Sequence, residues 1–480
     1  MNENKLVKGV AWLYFEKVGV LIVRVLISIV LARLLDPDHY GSIALVTVFI
    51  TIIDAIVAGG FGKALVQKSN SDDLDFNTIC WFSLFVCVIL YVGLFFFAPA
   101  VADFYSNDEL DLVIKIMGIS VFFTSFNSIQ QAFIQKRMEF RKFFWSTIGG
   151  TIMSGVVGIV LAVMGYGIWA LVGQFMTNVV IDTLVLFCII EWKPKFQFSF
   201  TRLKSLFRFG SFMVGSTIVS TLQDNVRSLV VGKVFTTEDL AYYNQGKKYP
   251  EYLMTSIIGS IGMALFPSLS SEPDEVRFKE IVRKSIKISS FVLLPAVIGI
   301  IAISDTFVSV FLTDKWLDCV QYMRILACVY LTRPLDTIFQ QALLAKGKGG
   351  LNFIHELICA LISVGLIFVA SFALESVIWI ALSYILVTII STILFYIFIR
   401  REIKYSFKEM VVDYLPFLLT SIVMGAAVFA ISFIPINKIF ILIIQLVVGI
   451  GGYLLLSKLF KFKELGYSVE LVKKIVRRTK

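Results

Sequence analysis

A few charged side chains stand where hydrocarbon would be expected. Arg24 sits inside a long apolar run from about Val10 to Leu35. Lys17 lies seven residues earlier on the same helical face, Glu16 is beside it, and Ser28 follows one turn after Arg24. A second run, near 209–233, carries Gln223, Asp224 and Arg227, with Ser216 and Ser220 extending the stripe. A third, near 318–344, carries Arg324 and then Arg333, Asp336, Thr337 and Gln340 at helical spacing. Other polar stripes are Ser120-Thr124-Asn127-Gln131, Gln174-Asn178-Asp182 and Thr47-Thr51-Asp54. A charge at the centre of a membrane helix costs about 2.5–3.5 kcal/mol on insertion scales, so it normally faces a partner or a wet cavity.

Three kinds of chemistry compete for these groups. In the first, neighbours such as Asp224 with Arg227 or Asp336 with Arg333 pair and only fix packing. In the second, carboxylates bind a coupling cation; Glu16, Asp54, Asp182, Asp224 and Asp336 are the candidates for coupling or ion pairing. In the third, Lys17, Arg24, Arg227, Arg324 and Arg333, with Asn127, Gln131 and Gln340 as neutral donors, line a cationic cavity for an anionic head group. On the three charged runs those cations outnumber Glu16, Asp224 and Asp336. The planar guanidinium fork matches phosphate. A phosphate-bearing anion therefore fits the residues better than a cationic drug. Catalytic signatures are absent: no P-loop, Rossmann glycine pattern, HExxH or GxSxG occurs, and no cofactor or metal is expected. The six cysteines form no metal-type cluster, and His39 and His355, near the ends of apolar runs, are expected to be interfacial.

The elements that must position these groups are membrane helices. The 480 residues are 58% hydrophobic, with a mean hydropathy of +0.85. Runs of the length needed to cross about 30 Å of hydrocarbon recur from end to end. They fall near 10–35, 40–60, 76–98, 110–134, 143–165, 167–190, 209–233, 249–269, 284–304, 318–344, 351–373, 376–399, 411–434 and 437–459. The fold class expected is all-α integral membrane with about 14 spans. The net charge of +10 could point to nucleic acid, but the basic residues sit in short loops between spans. Thirty-two of the 44 Lys and Arg fall on the side of the N-terminus and six on the other. By the positive-inside rule both termini are cytoplasmic, and no nucleic-acid partner is expected.

Gln130-Gln131-Ala132 recurs 210 residues later as Gln340-Gln341-Ala342, and Ile168-Trp169 recurs as Ile378-Trp379. At a shift of 200, Ala32-Arg33 falls on Gly232-Lys233. These matches imply two six-helix lobes in the same orientation, 1–190 and 209–400, related by an axis along the membrane normal. Residues 401–460 add two spans outside the repeat. Between the lobes, 191–208 interleaves Phe200, Leu203, Leu206 and Phe207 with Arg202, Lys204 and Arg208, the pattern of an interfacial helix. The basic tail 461–480 repeats that pattern, and both segments suit anionic membrane lipid equally as they suit solvent.

Several motifs carry a family resemblance. They include Leu31-Ala32-Arg33-Leu34-Leu35-Asp36-Pro37-Asp38-His39-Tyr40-Gly41, Gly60-Phe61-Gly62-Lys63-Ala64-Leu65-Val66-Gln67 and Gln135-Lys136-Arg137-Met138-Glu139-Phe140-Arg141-Lys142. Gly165-Tyr166-Gly167-Ile168-Trp169, Phe266-Pro267-Ser268-Leu269-Ser270 and Phe311-Leu312-Thr313-Asp314-Lys315-Trp316 continue the series. With these the chain resembles, over nearly its whole length, the polysaccharide-exporter branch of the multidrug/oligosaccharidyl-lipid/polysaccharide (MOP) flippase superfamily. It is most similar to the colanic acid and teichuronic acid exporters. The resemblance implies a MATE-like two-lobed bundle working by alternating access in the bacterial inner membrane. The implied substrate is an undecaprenyl-pyrophosphate-linked oligosaccharide repeat unit. The implied neighbours are glycosyltransferases and a polysaccharide polymerase. A drug or cation antiporter of the same superfamily is the alternative; a twelve-helix facilitator would carry a basic loop that Gly62–Gln67 does not match. On the third kind of chemistry, Arg24 and Arg227 would contact the pyrophosphate, with Arg333 as a third partner.

Overall fold

Each apolar run of the sequence is helical in the computed structural model of the chain, which describes residues 3–58, 61–68, 71–137 and 139–466. Side chains at 3–18, 63, 67, 140, 208–210, 212, 213, 216, 256, 260, 263 and 264 fall outside the description. The chain opens with α1 (Glu3–Leu34), α2 (Pro37–Val57), the short α3 (Phe61–Gln67) and α4 (Asp73–Tyr105). A broken pair follows, α5 (Glu109–Gly118) and α6 (Ser120–Arg137), then the hairpin α7 (Phe140–Val163) and α8 (Ile168–Ile189). The second series is α9 (Phe200–Val234), α10 (Thr237–Ser270), α11 (Glu275–Phe307), another broken pair α12 (Cys319–Cys328) and α13 (Arg333–Ala345), then α14 (Gly349–Phe372) and α15 (Val377–Ile403). The last two are α16 (Phe407–Ala430) and α17 (Lys438–Leu459).

Among the described residues, ten helical stretches are long and apolar enough to cross a membrane: α2, α4, α5–α6, α7, α8, α11, α14, α15, α16 and α17. The chain is a multi-pass membrane protein. The other four expected spans coincide with α1, α9, α10 and the α12–α13 pair.

Two of the helical stretches are interrupted. α5 ends at Gly118 and α12 at Cys328, 210 residues apart. At the first break Ile119 N–H donates to Ile116 O, a tightened turn that ends the α-helical ladder. Past the second break Pro334, which has no N–H to give, enters the first turn of α13. The α7–α8 hairpin turns on Gly165 and Gly167, whose φ values of +81° and +52° are left-handed. A Cβ on Gly167 would also stand 3.0 Å from the His39 ring.

The 191–208 segment departs from the helix expected there. Residues 191–199 are not helical. Their polar groups are taken by α4: Lys195 N donates to Asn77 Oδ1 at 3.1 Å and Ser199 N to Thr78 Oγ1 at 3.2 Å. Trp81 Nε1 donates to Lys195 O at 2.8 Å. Ser199 then caps α9 by accepting from Arg202 N, so residues 200–208 are the first turns of α9 and not a helix of their own. The expected basic helix at the C-terminus lies mostly beyond residue 466, outside the described residues.

The chain divides into two compact units, Met1–Ala241 and Tyr242–Lys480. The first takes in α9, which the repeat assigns to the second series, because α9 packs along α2, α3 and α4. Tyr105 Oη donates to Leu229 O at 3.3 Å, and Lys233 Nζ sits 4.1 Å from the Phe104 ring centroid.

α4 starts with a capping box in which Asp72 accepts from Asp75 N at 3.0 Å and Asp75 accepts from Asp72 N at 3.2 Å. Asp75 is fully buried and ion-paired with Lys68 at 2.7 Å. The Asp72 carboxyl is held below the ordinary carboxylate value, first by the Asp75 N–H and further by Arg202 and Lys68. Asp72→Ala is expected to cost about 1 kcal/mol, read as a lower thermal unfolding midpoint. Because the folded value is depressed, the contribution is present above about pH 4 and fades as the pH falls below it. A midpoint difference that grows on acidification would contradict this.

Candidate functional site

One face of α6 gathers the polar groups of the first unit. Thr124, Asn127 and Gln131 recur at helical spacing and so share that face. Asn127 Nδ2 donates to Asp182 Oδ2 on α8 at 3.0 Å, and Gln131 Nε2 donates to Asn127 Oδ1 at 2.5 Å. Thr124 lies close to Asp54 of α2. Asp54 Oδ1 is buried without a hydrogen-bond partner among the described residues. Ser146 of α7 and Arg24 of α1 both interact with Asp182. Arg24 itself is exposed, although it lies well inside α1. The structure thus joins Gln131, Asn127 and Asp182 by hydrogen bonds, with Arg24 within electrostatic reach of Asp182.

A related arrangement occurs in the second unit. Asp336 of α13 is 4% exposed and accepts from Thr392 Oγ1 at 2.5 Å and Ser391 Oγ at 3.3 Å, both on α15. Arg333 is within electrostatic reach of Asp336. Position 392 is 182 shifted by 210. Asp182 on α8 faces Asn127 on α6, and Thr392 on α15 faces Asp336 on α13. A polar tie thus joins α6 to α8 in the first unit and α13 to α15 in the second, with the carboxylate on α8 in one and on α13 in the other.

The remaining sequence candidates are dispersed. Arg324 is ion-paired with Asp305 and lies 5.6 Å from the Phe429 ring centroid. Arg227 is buried in α9 at 4% exposure and has polar interactions of its own. Asp224 is exposed one turn earlier, and Gln340 is half-buried one turn after Asp336. Glu16 and Lys17 are on α1 with side chains outside the description. The sequence reading placed His355 at the interface; the structure buries it at 5% exposure, stacked on Phe395 with centroids 3.5 Å apart. The available signal was the Ser391-Thr392 pair inside the largely apolar α15, which called for polar partners on neighbouring helices.

A family model described as "Polysaccharide biosynthesis protein" matches residues 30–321, more than half of the chain. The chain belongs to this family. Curated relatives of this polysaccharide biosynthesis family include the succinoglycan biosynthesis transport protein ExoT of Rhizobium meliloti, 23% identical over 80% of this chain and 78% of that protein. The teichuronic acid biosynthesis protein TuaB of Bacillus subtilis is 24% identical, covering 89% of each. The lipopolysaccharide biosynthesis protein WzxC of Escherichia coli is 22% identical over 87% and 86%. Among solved structures, the lipid II flippase MurJ in an inward closed conformation superposes with a TM-score of 0.74 at 16% identity, over 95% of this chain and 98% of that one. An inward-facing MATE transporter of the MOP superfamily gives 0.60 at 13%, over 81% and 98%. These likenesses show the fold. The polysaccharide-exporter resemblance read from the motifs agrees with the family.

Proposed function

We propose that this family member is a flippase that moves an undecaprenyl-pyrophosphate-linked oligosaccharide repeat unit from the cytoplasmic to the outer leaflet for surface polysaccharide synthesis. It works by alternating access of two six-helix lobes in a fourteen-span bundle, in the bacterial inner membrane. It acts alongside the glycosyltransferases that build the repeat unit and the polymerase that consumes it, and it is not an enzyme. The observation that carries the proposal is Arg24: a guanidinium exposed within a helix expected to span the membrane, within electrostatic reach of the Asp182 carboxylate that accepts from Asn127. Such a charge needs a partner or a wet cavity, and a pyrophosphate supplies the partner when bound. Arg227 and Arg333 complete the cationic set in this reading.

The decisive experiment is export in cells. Deleting the gene should leave lipid-linked repeat units inside and no surface polymer, and the chain expressed in trans should restore it. Movement of cationic dyes with no effect on polymer would favour the antiporter reading.

The topology carries its own test. Both termini are cytoplasmic in this proposal, so a cysteine at Lys404, after α15, should react with a membrane-impermeant maleimide only once cells are opened. Labelling in intact cells would sink the fourteen-span arrangement.

A further inference from the structure

We propose that His355, Ser391 and Asp336 form a proton-binding chain in the second unit, with Thr392 as the hydroxyl that completes it. His355 Nε2 lies 3.1 Å from Ser391 Oγ and 3.2 Å from Ser391 O. Ser391 Oγ donates to Asp336 Oδ2 at 3.3 Å. A hydroxyl has one hydrogen. Since that of Ser391 goes to Asp336, His355 is the donor at Nε2, and its Nδ1 carries a lone pair. Nδ1 is buried with no hydrogen-bond partner among the described residues. The chain therefore runs with one polarity, from imidazole through hydroxyl to carboxylate.

Thr392 adds an independent argument. Its Oγ1 stands 2.5 Å from Asp336 Oδ1 and 3.0 Å from Thr388 O. With Asp336 ionised, the single Thr392 hydrogen serves two acceptors. With a proton on Oδ1, Asp336 donates to Thr392 Oγ1 and the Thr392 hydroxyl is free to donate to Thr388 O, so both contacts are satisfied. The site is built for a carboxyl that is protonated in part of its cycle.

The step balances as one proton taken up. A proton adds to Nδ1; Nε2–H passes to Ser391 Oγ as the Ser391 hydrogen passes to Asp336 Oδ2, and a half-turn of the neutral carboxyl about Cβ–Cγ then brings that O–H to the Thr392 side. The result is a neutral Asp336 acid and a neutral His355 in the Nδ1–H tautomer. Several groups face this chain. Arg333 acts on Asp336 from α13, and Tyr414 of α16 is in its field. Cys359 Sγ lies 3.6 Å from His355 Nε2, and Glu356 of α14 acts on Cys359. From α11, Arg283 and Lys287 are engaged by Asp413. α10 approaches α13 at Gly262, which brings no charge. Use of this proton to drive or gate export rests on the flippase reading above; the binding of the proton does not.

The chain has two histidines, His39 and His355, so imidazole nitrogen NMR resolves the site. Purified protein labelled with nitrogen-15 histidine is titrated in nanodiscs, with His39→Gln giving the assignment. Between about pH 5 and 8, His355 should change from the Nε2–H to the Nδ1–H tautomer as the pH falls. Asp336→Asn, which cannot take up the proton, should hold the ring in one tautomer until the ring itself protonates. Ser391→Ala should abolish the tautomer change with Asp336 intact, and Ser391→Thr should restore it. A wild-type ring that keeps one tautomer throughout, or a change that is the same in Asp336→Asn, would overturn the proposal. The readout needs no substrate, so it stands or falls apart from the export assay.

Discussion

Arg24→Ala is expected to remove most polysaccharide export while leaving the protein at its normal level in the membrane. Arg24 is exposed and is not in the buried core, so its loss opens no cavity. What it loses is a charge-assisted contact to the anionic head group, worth about 1.5–3 kcal/mol, or roughly ten- to a hundredfold in binding. Arg24→Lys keeps the charge and loses the bidentate fork, so export should fall between wild type and the alanine variant. Arg227→Ala and Arg333→Ala should act in the same direction. Wild-type export from all three alanine variants would mean that these charges only pair with neighbours.

The largest expected stability effect lies elsewhere, at Arg283. Its Nε and Nη2 donate to Asp413 Oδ2 and Oδ1 at 2.6 and 2.9 Å, and Nη1 donates to Glu409 at 3.3 Å. Asp413 is fully buried, and this bidentate pair ties α16 to α11. Removing one partner of a buried pair costs about 3–5 kcal/mol because the other charge is stranded. Lys287 at 3.2 Å and the Tyr405 hydroxyl at 3.1 Å remain on Asp413, which puts Arg283→Met at the low end. Adding Asp413→Leu should recover much of the loss, since the stranded charge is then gone. Thermal unfolding of the purified variants decides it: a single variant as stable as wild type, or a double variant no better than the single, contradicts the argument.

The fold was legible because membrane helices are specified by length and hydropathy, which a sequence displays directly. The matching motifs Gln130-Gln131-Ala132 and Gln340-Gln341-Ala342 fall on α6 and α13, each the second half of an interrupted helix. The α6 stripe was legible too, because period 3.6 puts Thr124, Asn127 and Gln131 on one face. The partners across helices were hidden. Nothing in the local sequence says that Asn127 meets Asp182, that Arg324 meets Asp305, or that His355 turns inward onto Ser391 and Phe395. Those contacts depend on which helices neighbour each other, and many apolar helices look alike from outside. The 191–208 segment was only partly legible: the apolar and basic pattern lies in 200–208, which opens α9, while hydrogen bonds to Asn77, Thr78 and Trp81 of α4 hold 191–199 in a non-helical path.

The central claim is tested most directly in proteoliposomes. The purified chain is reconstituted with an undecaprenyl-pyrophosphate-linked oligosaccharide in both leaflets, and a membrane-impermeant glycosidase is added outside. The account predicts that cleavage continues past the outer-leaflet fraction until nearly all the glycolipid is consumed, and that Arg24→Ala vesicles stop close to that fraction. Cleavage that halts at the outer-leaflet fraction with the wild-type chain, as in protein-free vesicles, would contradict it.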